Sequence, residues 1–213
     1  MFQPDRYLLK QQIKKNIKYI KGVVLDAGSG EGGRYKSFFK FDKYLTLDIN
    51  PLSKPDILGS VESIPLENKS IDSIVSTQVL EHIKDPQKAV NEFYRVLKSG
   101  GYCLVTAPQF NELHEEPNDY FRFTKYGLEI IFNKAGFKII LLEQRGGFWV
   151  TNCQTQIRYV IDLFNLNRHA WLAKIFNPFF LICGRLSILI DGLDKSRANQ
   201  KHALGWLAIV KKP

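Results

Sequence analysis

Two carboxylates and a run of glycines near the start of the chain have the spacing of a ligand-binding turn. Val23-Val24-Leu25-Asp26-Ala27-Gly28-Ser29-Gly30-Glu31-Gly32-Gly33 is a short apolar run that ends in an acid and passes into a glycine-rich turn. Glycine has no side chain in the way and tolerates positive φ, so such a turn lets backbone N–H groups close on a ligand. Gly28, Gly30 and Gly33 satisfy GxGxxG, while Asp26, Gly28, Gly30 and Gly32 satisfy DxGxGxG. Spacing therefore leaves two ligand classes open, and charge separates them. A pyrophosphate would face Asp26 and Glu31, which is unfavourable in a partly buried turn. A nucleoside carrying positive charge, such as the sulfonium and ammonium of S-adenosylmethionine, would not. Asp48 closes the next apolar run, Tyr44 to Asp48, where a carboxylate can accept from both hydroxyls of a ribose.

A second concentration of reactive side chains lies at 108–124, PQFNELHEEPNDYFRFT, too long and too rich in His, acids and aromatics for a simple connection. If the chemistry at this stretch involves a hydroxyl, a general base beside the oxygen would help, and His114 is the candidate. Glu115, Asp119, Tyr120 and Arg122, with His82 from an earlier stretch, are the candidate substrate contacts. Each has a plainer use: His114 as a turn cap, Tyr120 and Phe121 as packing, Arg122 as a partner of Asp119, and His82 as a residue opening a helix. No metal is expected, because HEEPN is not HExxH and neither His169 nor His202 has ligand-like neighbours in sequence.

The elements that must position these groups follow from periodicity. Apolar runs at Val23 to Ala27, Tyr44 to Asp48, Ile71 to Ser76, Tyr102 to Thr106 and Phe137 to Leu142 alternate with helical patterns, the signature of βαβ units on a parallel sheet. Pro86 to Leu97 places Ala89, Val90, Phe93, Val96 and Leu97 on one helical face, with Ser99-Gly100-Gly101 as its stop. Thr124 to Ala135 repeats the pattern, with Thr124 as cap and Gly136 as terminator. The stretch after the glycine turn reads as helix-like, and Trp206 to Val210 as a final strand.

Taken together, these segments resemble the class I S-adenosylmethionine-dependent methyltransferases, type 11 group, over about residues 20 to 142. Beyond the glycine turn and Asp48, the resemblance is carried by Glu62-Ser63-Ile64-Pro65-Leu66, Ser70-Ile71-Asp72-Ser73-Ile74-Val75, Gln78-Val79-Leu80-Glu81-His82 and Arg95-Val96-Leu97-Lys98-Ser99-Gly100-Gly101. The HEEPNDYFRFT run resembles members associated with polysaccharide and cell-envelope biosynthesis. The resemblance implies an α/β fold: a Rossmann-like, seven-stranded, mostly parallel sheet with helices on both faces and an antiparallel last strand. It also implies S-adenosylmethionine as cofactor, with Asp26, Ala27, Gly28, Ser29, Gly30 and Gly32 at its methionine part, and Asp48 and Ile49 at ribose and adenine. Gln78 and Val79 would line the sulfonium region. The family usually has an acid near the adenine amino group at the position of Ser60, and here Ser60 or nearby Glu62 would have to substitute, with Val61 beside them at the cofactor.

The composition admits one domain of ordinary globular character, 213 residues with 45% hydrophobic and 24% charged. Its formal net charge of +9 sits at the ends: +5 over 1–22 (six basic, one acidic), +6 over 156–213 (nine basic, three acidic), and −2 between them (fifteen basic, seventeen acidic). A nucleic-acid partner is disfavoured by that distribution, and an Asn/Asp-Pro-Pro-aromatic clamp of DNA adenine methylation is absent after Ser76-Thr77-Gln78-Val79. Three scattered cysteines without a CxxC, and a start without a secretory signal, fit a cytoplasmic location. The organisation read from these patterns is a basic N-terminal helix (1–22), a cofactor-binding core (23–142), a helical insertion (143–204) and a last strand (205–213). Within the insertion, Trp171 to Ile190 is strongly apolar but interrupted by Lys174, Asn177, Pro178 and Arg185, so it is not read as transmembrane. Its preferred reading is a lid with its apolar side buried. The other is a peripheral contact through 155–195 with anionic lipid at the inner face of the membrane, using Arg158, Arg168, Lys174 and Arg185, which would suit a lipid-linked acceptor. Two rivals to methyl transfer onto a glycan, lipid-linked or other small acceptor stand beside it: an NAD-dependent oxidoreductase, and a catalytically silent binding domain.

Overall fold

The apolar runs become strands because each alternates or saturates its faces over a length too short for a helix. The computed structural model describes residues 1–213 and contains β1 (Val23–Ala27), β2 (Lys43–Asp48), β3 (Ile57–Leu58), β4 (Ile71–Thr77), β5 (Leu97–Pro108), β6 (Lys138–Arg145) and β7 (Gly205–Lys211). They form one seven-stranded sheet in the order β3-β2-β1-β4-β5-β7-β6. β1 pairs in parallel with β2 (Leu25 beside Leu45) and with β4 (Leu25 beside Ile74), and β4 pairs in parallel with β5. The carboxyl ends of β2, β1 and β4 therefore stand side by side, where parallel sheets place their ligands. β7 runs against β5: Gly100 donates to the Lys212 carbonyl at one end, and Gln109 to the Leu204 carbonyl at the other. The sheet is thus the Rossmann-like, mostly parallel one expected, with its last strand antiparallel.

Two expectations of local structure are corrected. The stretch after the glycine turn is no helix but a single 3-10 turn at Lys36–Phe38. Gly30, Gly32 and Gly33 all hold positive φ, which an α-helix cannot continue through. Ser99-Gly100-Gly101 does not stop a helix either; it lies inside β5, and the helix ends earlier, at Val96. A β-carbon on Gly101 would lie 2.8 Å from the Asp72 carbonyl oxygen, so glycine is what lets β5 pass β4 where the register shifts between Ile71 and Ser73.

The helices are α1 (Pro4–Lys15), α2 (Pro86–Val96), α3 (Lys125–Lys134), α4 (Phe148–Leu163), α5 (Ala170–Leu193) and α6 (Arg197–Gln200). α2 begins where Asp85 accepts from the Lys88 N–H, with Pro86 in its first turn, and buries Ala89, Val90, Phe93 and Val96. α3 begins where Thr124 accepts from Gly127. Arg95, at the end of α2, donates to the carbonyls of Ile64 and Leu66 and pairs with Glu92, so it clamps the segment before β4 to the helix.

The chain divides into two compact units: Lys14–Pro108 with Leu113–Glu143 and Trp206–Pro213, and Met1–Ile13 with Gln109–Glu112 and Gln144–Gly205. The first has a sheet core that includes Val24, Leu25, Leu47, Ile74, Phe93, Leu104 and Phe132. In the second, Ile157, Ile161, Leu166 and Phe180 are buried where α4 meets α5. The expectation that α5 buries its apolar side is corrected. The helix buries Phe180, Gly184 and Ser187, while Trp171, Ile175, Phe179, Ile182, Leu186, Leu189 and Leu193, three or four residues apart, are between 51% and 74% exposed. Small residues explain the choice: a β-carbon on Gly184 would strike the Phe2 ring, so this face is the one that admits close packing.

Candidate functional site

The glycine turn is fixed to the end of β2 by its backbone. The N–H groups of Gly28 and Ser29 both donate to the Leu47 carbonyl, at 2.8 and 3.1 Å. Asp48 then ties the next residues: its Oδ2 accepts from the Gly30 N–H at 2.7 Å and its Oδ1 from the Asn50 N–H at 2.8 Å. Gly28 has φ of 78°, and Gly30 and Gly32 have φ of 58° and 88° with open space where a β-carbon would sit. The result is a backbone-lined cradle with a carboxylate at its rim. Ser29 Oγ is buried at this cradle without a hydrogen-bond partner.

Asp26 lies at the strand end just before the turn, buried, and its Oδ2 accepts from the Tyr44 hydroxyl at 2.7 Å. The parallel register sets this pair. Tyr44 stands beside Val24, and Asp26, two residues on, projects from the same face within reach of a phenol. Burial pushes the Asp26 carboxyl up to about 6, opposed by the Tyr44 hydrogen bond and aided by the nearby negative charge of Asp48. The Tyr44 phenol is itself pushed up, by burial and by Asp26, so it keeps its proton and donates.

Asp48 also joins the cradle to the 58–63 segment, because the Gly59 N–H donates to its carbonyl at 2.9 Å. Ser60 there is engaged in its own turn: its Oγ accepts from the Glu62 N–H, and its carbonyl from the Ser63 N–H. Val61 is buried in the core, whereas Ile49, next to Asp48, is exposed.

Across the cradle, β4 ends at Thr77 and Gln78 takes φ of 55°, an uncommon conformation for a residue other than glycine. Its N–H donates to the Thr106 carbonyl and its Nε2 to Thr106 Oγ1, which together hold the turn. Val79 follows, packed against Gly28, and a 3-10 turn at Leu80–His82 delivers Glu81 and His82.

There the structure brings together residues that are remote in sequence. His82 and His114 meet edge to face with ring centroids 4.8 Å apart. His82 Nδ1 lies 2.6 Å from the Asn118 carbonyl, and His82 Nε2 lies 3.9 Å from both the buried Glu81 carboxylate and the exposed Glu115 carboxylate. His114 Nδ1 lies 3.3 Å from Asp119 Oδ2. Asp119 accepts both N–H arms of Arg122 at 2.7 Å, and the guanidinium holds its carboxyl well below the usual carboxylate range. Asp119 and Arg122 are thus engaged with each other, and Tyr120 donates its hydroxyl to Asn118 Oδ1. The loop is anchored below by Tyr120 and Phe121, whose N–H groups donate to the Glu81 carbonyl.

Two members of this arrangement carry only weak signals in the sequence. Tyr44 is one residue of a strand, although its place on the same face as Asp26 follows from the register. Glu81 is one residue of a motif, and its burial beside His82 depends on Tyr120 and Phe121 folding back onto its carbonyl.

Residues 25–105 match the family model described as a methyltransferase domain. A Mycolicibacterium smegmatis protein described as a probable S-adenosylmethionine-dependent methyltransferase is 32% identical over 133 residues, 54% of this chain and 52% of that one. The chloroplastic 2-methyl-6-phytyl-1,4-hydroquinone methyltransferase of Spinacia oleracea is 34% identical over 104 residues, 46% of this chain and 30% of that one. The chain thus spans about half the length of the first of these relatives and under a third of the second. Among solved structures, phosphoethanolamine N-methyltransferase 2 of Haemonchus contortus in complex with S-adenosyl-L-methionine superposes with a TM-score of 0.59 at 19% identity, covering 96% of this chain and 52% of that one.

Proposed function

We propose that the protein is an S-adenosylmethionine-dependent methyltransferase acting on an oxygen of a glycan, lipid-linked or other small acceptor. The observation that carries this reading is the Asp26–Asp48 pair around a glycine cradle. Burial and mutual repulsion already disfavour the charged form of Asp26, so a pyrophosphate brought to the same turn would add a third negative group. A cation would relieve the repulsion. The NAD-dependent alternative is disfavoured on that ground. The cradle fits the cofactor: Ser29 Oγ offers a buried hydrogen-bonding atom, Gly30 and Gly32 leave room for close approach, and Asp48 has the acceptors that a ribose needs.

When bound, S-adenosylmethionine would supply a methyl group made electrophilic by its sulfonium, with adenosylhomocysteine as leaving group. The chain's own part is alignment and proton handling. Asp26, Ala27, Gly28, Ser29, Gly30 and Gly32 would hold the methionine part, Asp48 and Ile49 the ribose and adenine, with Ser60, Val61 and Glu62 beside them, and Gln78 and Val79 the sulfonium region. His114 is assigned the proton of the acceptor oxygen. Asp119 Oδ2, 3.3 Å from His114 Nδ1, would fix that nitrogen as the donor and leave Nε2 to accept. His82, Glu115, Tyr120 and Arg122 would shape the acceptor side.

The exposed apolar stripe of α5 supports a further element of the reading, a peripheral contact through 155–195 with the inner face of a membrane. Ala170–Leu193 is one helix long and apolar enough by length and composition to cross a membrane, with only 17% of that window buried. Two of the basic residues first assigned to lipid are engaged within their own unit: Arg158 pairs with Glu112, and Arg185 lies over the Tyr7 ring at 4.3 Å. Arg168 and Lys174 are exposed and carry the electrostatic part of the proposal.

The test is incubation with methyl-labelled S-adenosylmethionine and separated membrane and soluble extracts of the host. Label in a lipid-extractable or glycan fraction supports methyl transfer and the membrane contact together. Label confined to soluble material keeps the transferase and removes the lipid-linked acceptor. Cofactor binding without label in any fraction favours the silent binding domain.

A further inference from the structure

We infer that Glu81, His82 and His114 form a binding site for one divalent transition-metal cation. Their donor atoms all lie within 4.8 Å of one another, although His114 is separated from the other two in sequence by β5 and its helix. Proximity alone would be weak; the orientation of the two imidazoles is what gives the cluster a chemical direction. His82 Nδ1 is 2.6 Å from a backbone carbonyl, which can only accept, so the neutral ring carries its proton on Nδ1 and its lone pair on Nε2. His114 Nδ1 lies 3.3 Å from Asp119 Oδ2, and Asp119 also accepts from the His114 backbone N–H and from both arms of Arg122, so a proton on Nδ1 leaves that ring's lone pair on Nε2. A carbonyl or carboxylate on the far nitrogen is the second layer that orients metal-binding histidines.

The oxygen donors complete the set. Glu81 is wholly buried, with a carboxylate 3.9 Å from His82 Nε2, and a carboxylate this deep is stabilised by a positive charge beside it. Glu115, exposed, stands 3.9 Å from the same Nε2 and is free to swing toward a fourth position. Metal–ligand bonds of about 2.0–2.2 Å require the donors to draw together by about an ångström, within the reach of side-chain rotation. Two imidazoles and one or two carboxylates suit Zn2+ or Mn2+ better than Ca2+ or Mg2+, which prefer all-oxygen ligands.

The inference stands on geometry independent of the proposed methyl transfer; only its consequence rests on that reading. Without a cation, His114 Nε2 is the atom assigned the acceptor's proton. With one bound, that lone pair is committed, and the cation's charge lowers the acceptor's pKa instead.

The experiment is a titration of chelator-treated full-length protein with Mn2+, following free Mn2+ by electron paramagnetic resonance, with bound Zn2+ counted by elemental analysis after gel filtration. One equivalent per chain is expected, and a thermal midpoint raised by Zn2+. His82→Ala and His114→Ala should each weaken binding at least tenfold, and Asp119→Asn, which keeps every ligand, by about tenfold or more. His202→Ala should bind as the wild type does. Circular dichroism confirms that each variant is folded. Absence of binding up to millimolar cation, or wild-type affinity in both histidine variants, overturns the site. The readout does not involve methyl transfer, so a metal-binding protein without activity and an active enzyme without metal are told apart.

Discussion

Gly28 and Val79 are packed so closely that a β-carbon on the glycine would lie 2.6 Å from Val79 Cγ2. The contact joins the cofactor cradle to the turn that delivers Glu81 and His82, so one glycine sets the spacing between both halves of the site. Gly28→Ala meets this clash and also a φ of 78°, which an alanine adopts at a cost of about 1–2 kcal/mol. The variant should lose affinity for S-adenosylhomocysteine by at least about tenfold in calorimetry. Pairing it with Val79→Ala should recover only part of the loss, because the backbone strain stays. Full recovery in the double variant would assign the whole effect to the contact.

Asp48 accepts from two backbone N–H groups across the cradle, and the proposed ribose contact uses the same carboxylate. Charge-assisted hydrogen bonds contribute roughly 1.5–3 kcal/mol each, so Asp48→Ala should weaken cofactor binding by about a hundredfold or more. The same change removes two hydrogen bonds that hold the cradle, so the thermal midpoint should fall as well, while circular dichroism should still report a folded protein. Asp48→Asn, which keeps one acceptor, should fall between. Unchanged affinity in Asp48→Ala would break the ribose assignment.

The cradle was legible in the sequence because its parts are neighbours along the chain: a strand, an acid, glycines, and a second acid at the next strand end. The histidine cluster was legible only as separate residues. His82 and His114 were both singled out, but their meeting depends on the fold-back of residues 118–121 onto the Glu81 carbonyl, which no local pattern encodes. The α5 helix went the other way. Its apolar density reads as core by composition, and which face is buried is decided by Gly184 and Ser187, whose small size is a weak signal beside seven large apolar residues.

Asp26 makes the site pH-sensitive. Its carboxyl is raised from 3.8 to about 6 in the fold, so the folded state holds the proton more tightly than the unfolded state. Its contribution to stability is therefore complete below the unfolded value and is lost as pH rises through 6. The difference is on the order of 2–3 kcal/mol, and Asp26→Asn should be the more stable protein at pH 7 to 8 in denaturant titrations. Affinity for a cationic ligand runs the opposite way, since such a ligand prefers the ionised carboxylate. S-adenosylmethionine binding should tighten between pH 5 and 7 in the wild type and lose that dependence in Asp26→Asn. Equal slopes in the two proteins would remove Asp26 from the cofactor site.

The α5 stripe predicts a membrane effect separable from catalysis. Phe179→Glu with Leu186→Glu places two charges in the middle of the exposed apolar face, where burial in the lipid interface would be penalised. The wild-type protein should co-sediment with vesicles containing anionic lipid, less so at high salt, and the double variant should remain in the supernatant. Cofactor affinity should be the same in both. Failure of the wild type to sediment would assign the stripe to something other than a membrane.

His114 is oriented by Asp119, which is oriented in turn by Arg122, so the three residues should not respond alike. In metal-free assays His114→Ala removes the group assigned to the acceptor's proton and should slow turnover by about 10²–10⁴-fold, with cofactor affinity unchanged. Asp119→Asn keeps the imidazole but loses the charge that fixes its Nδ1–H, so turnover should fall less and its pH profile should shift. Arg122→Ala should slow turnover for a different reason, because Asp119 then loses both of its guanidinium bonds and with them its fixed position. A pH profile identical in wild type and Asp119→Asn would place the proton elsewhere and leave His114 a structural member of the loop.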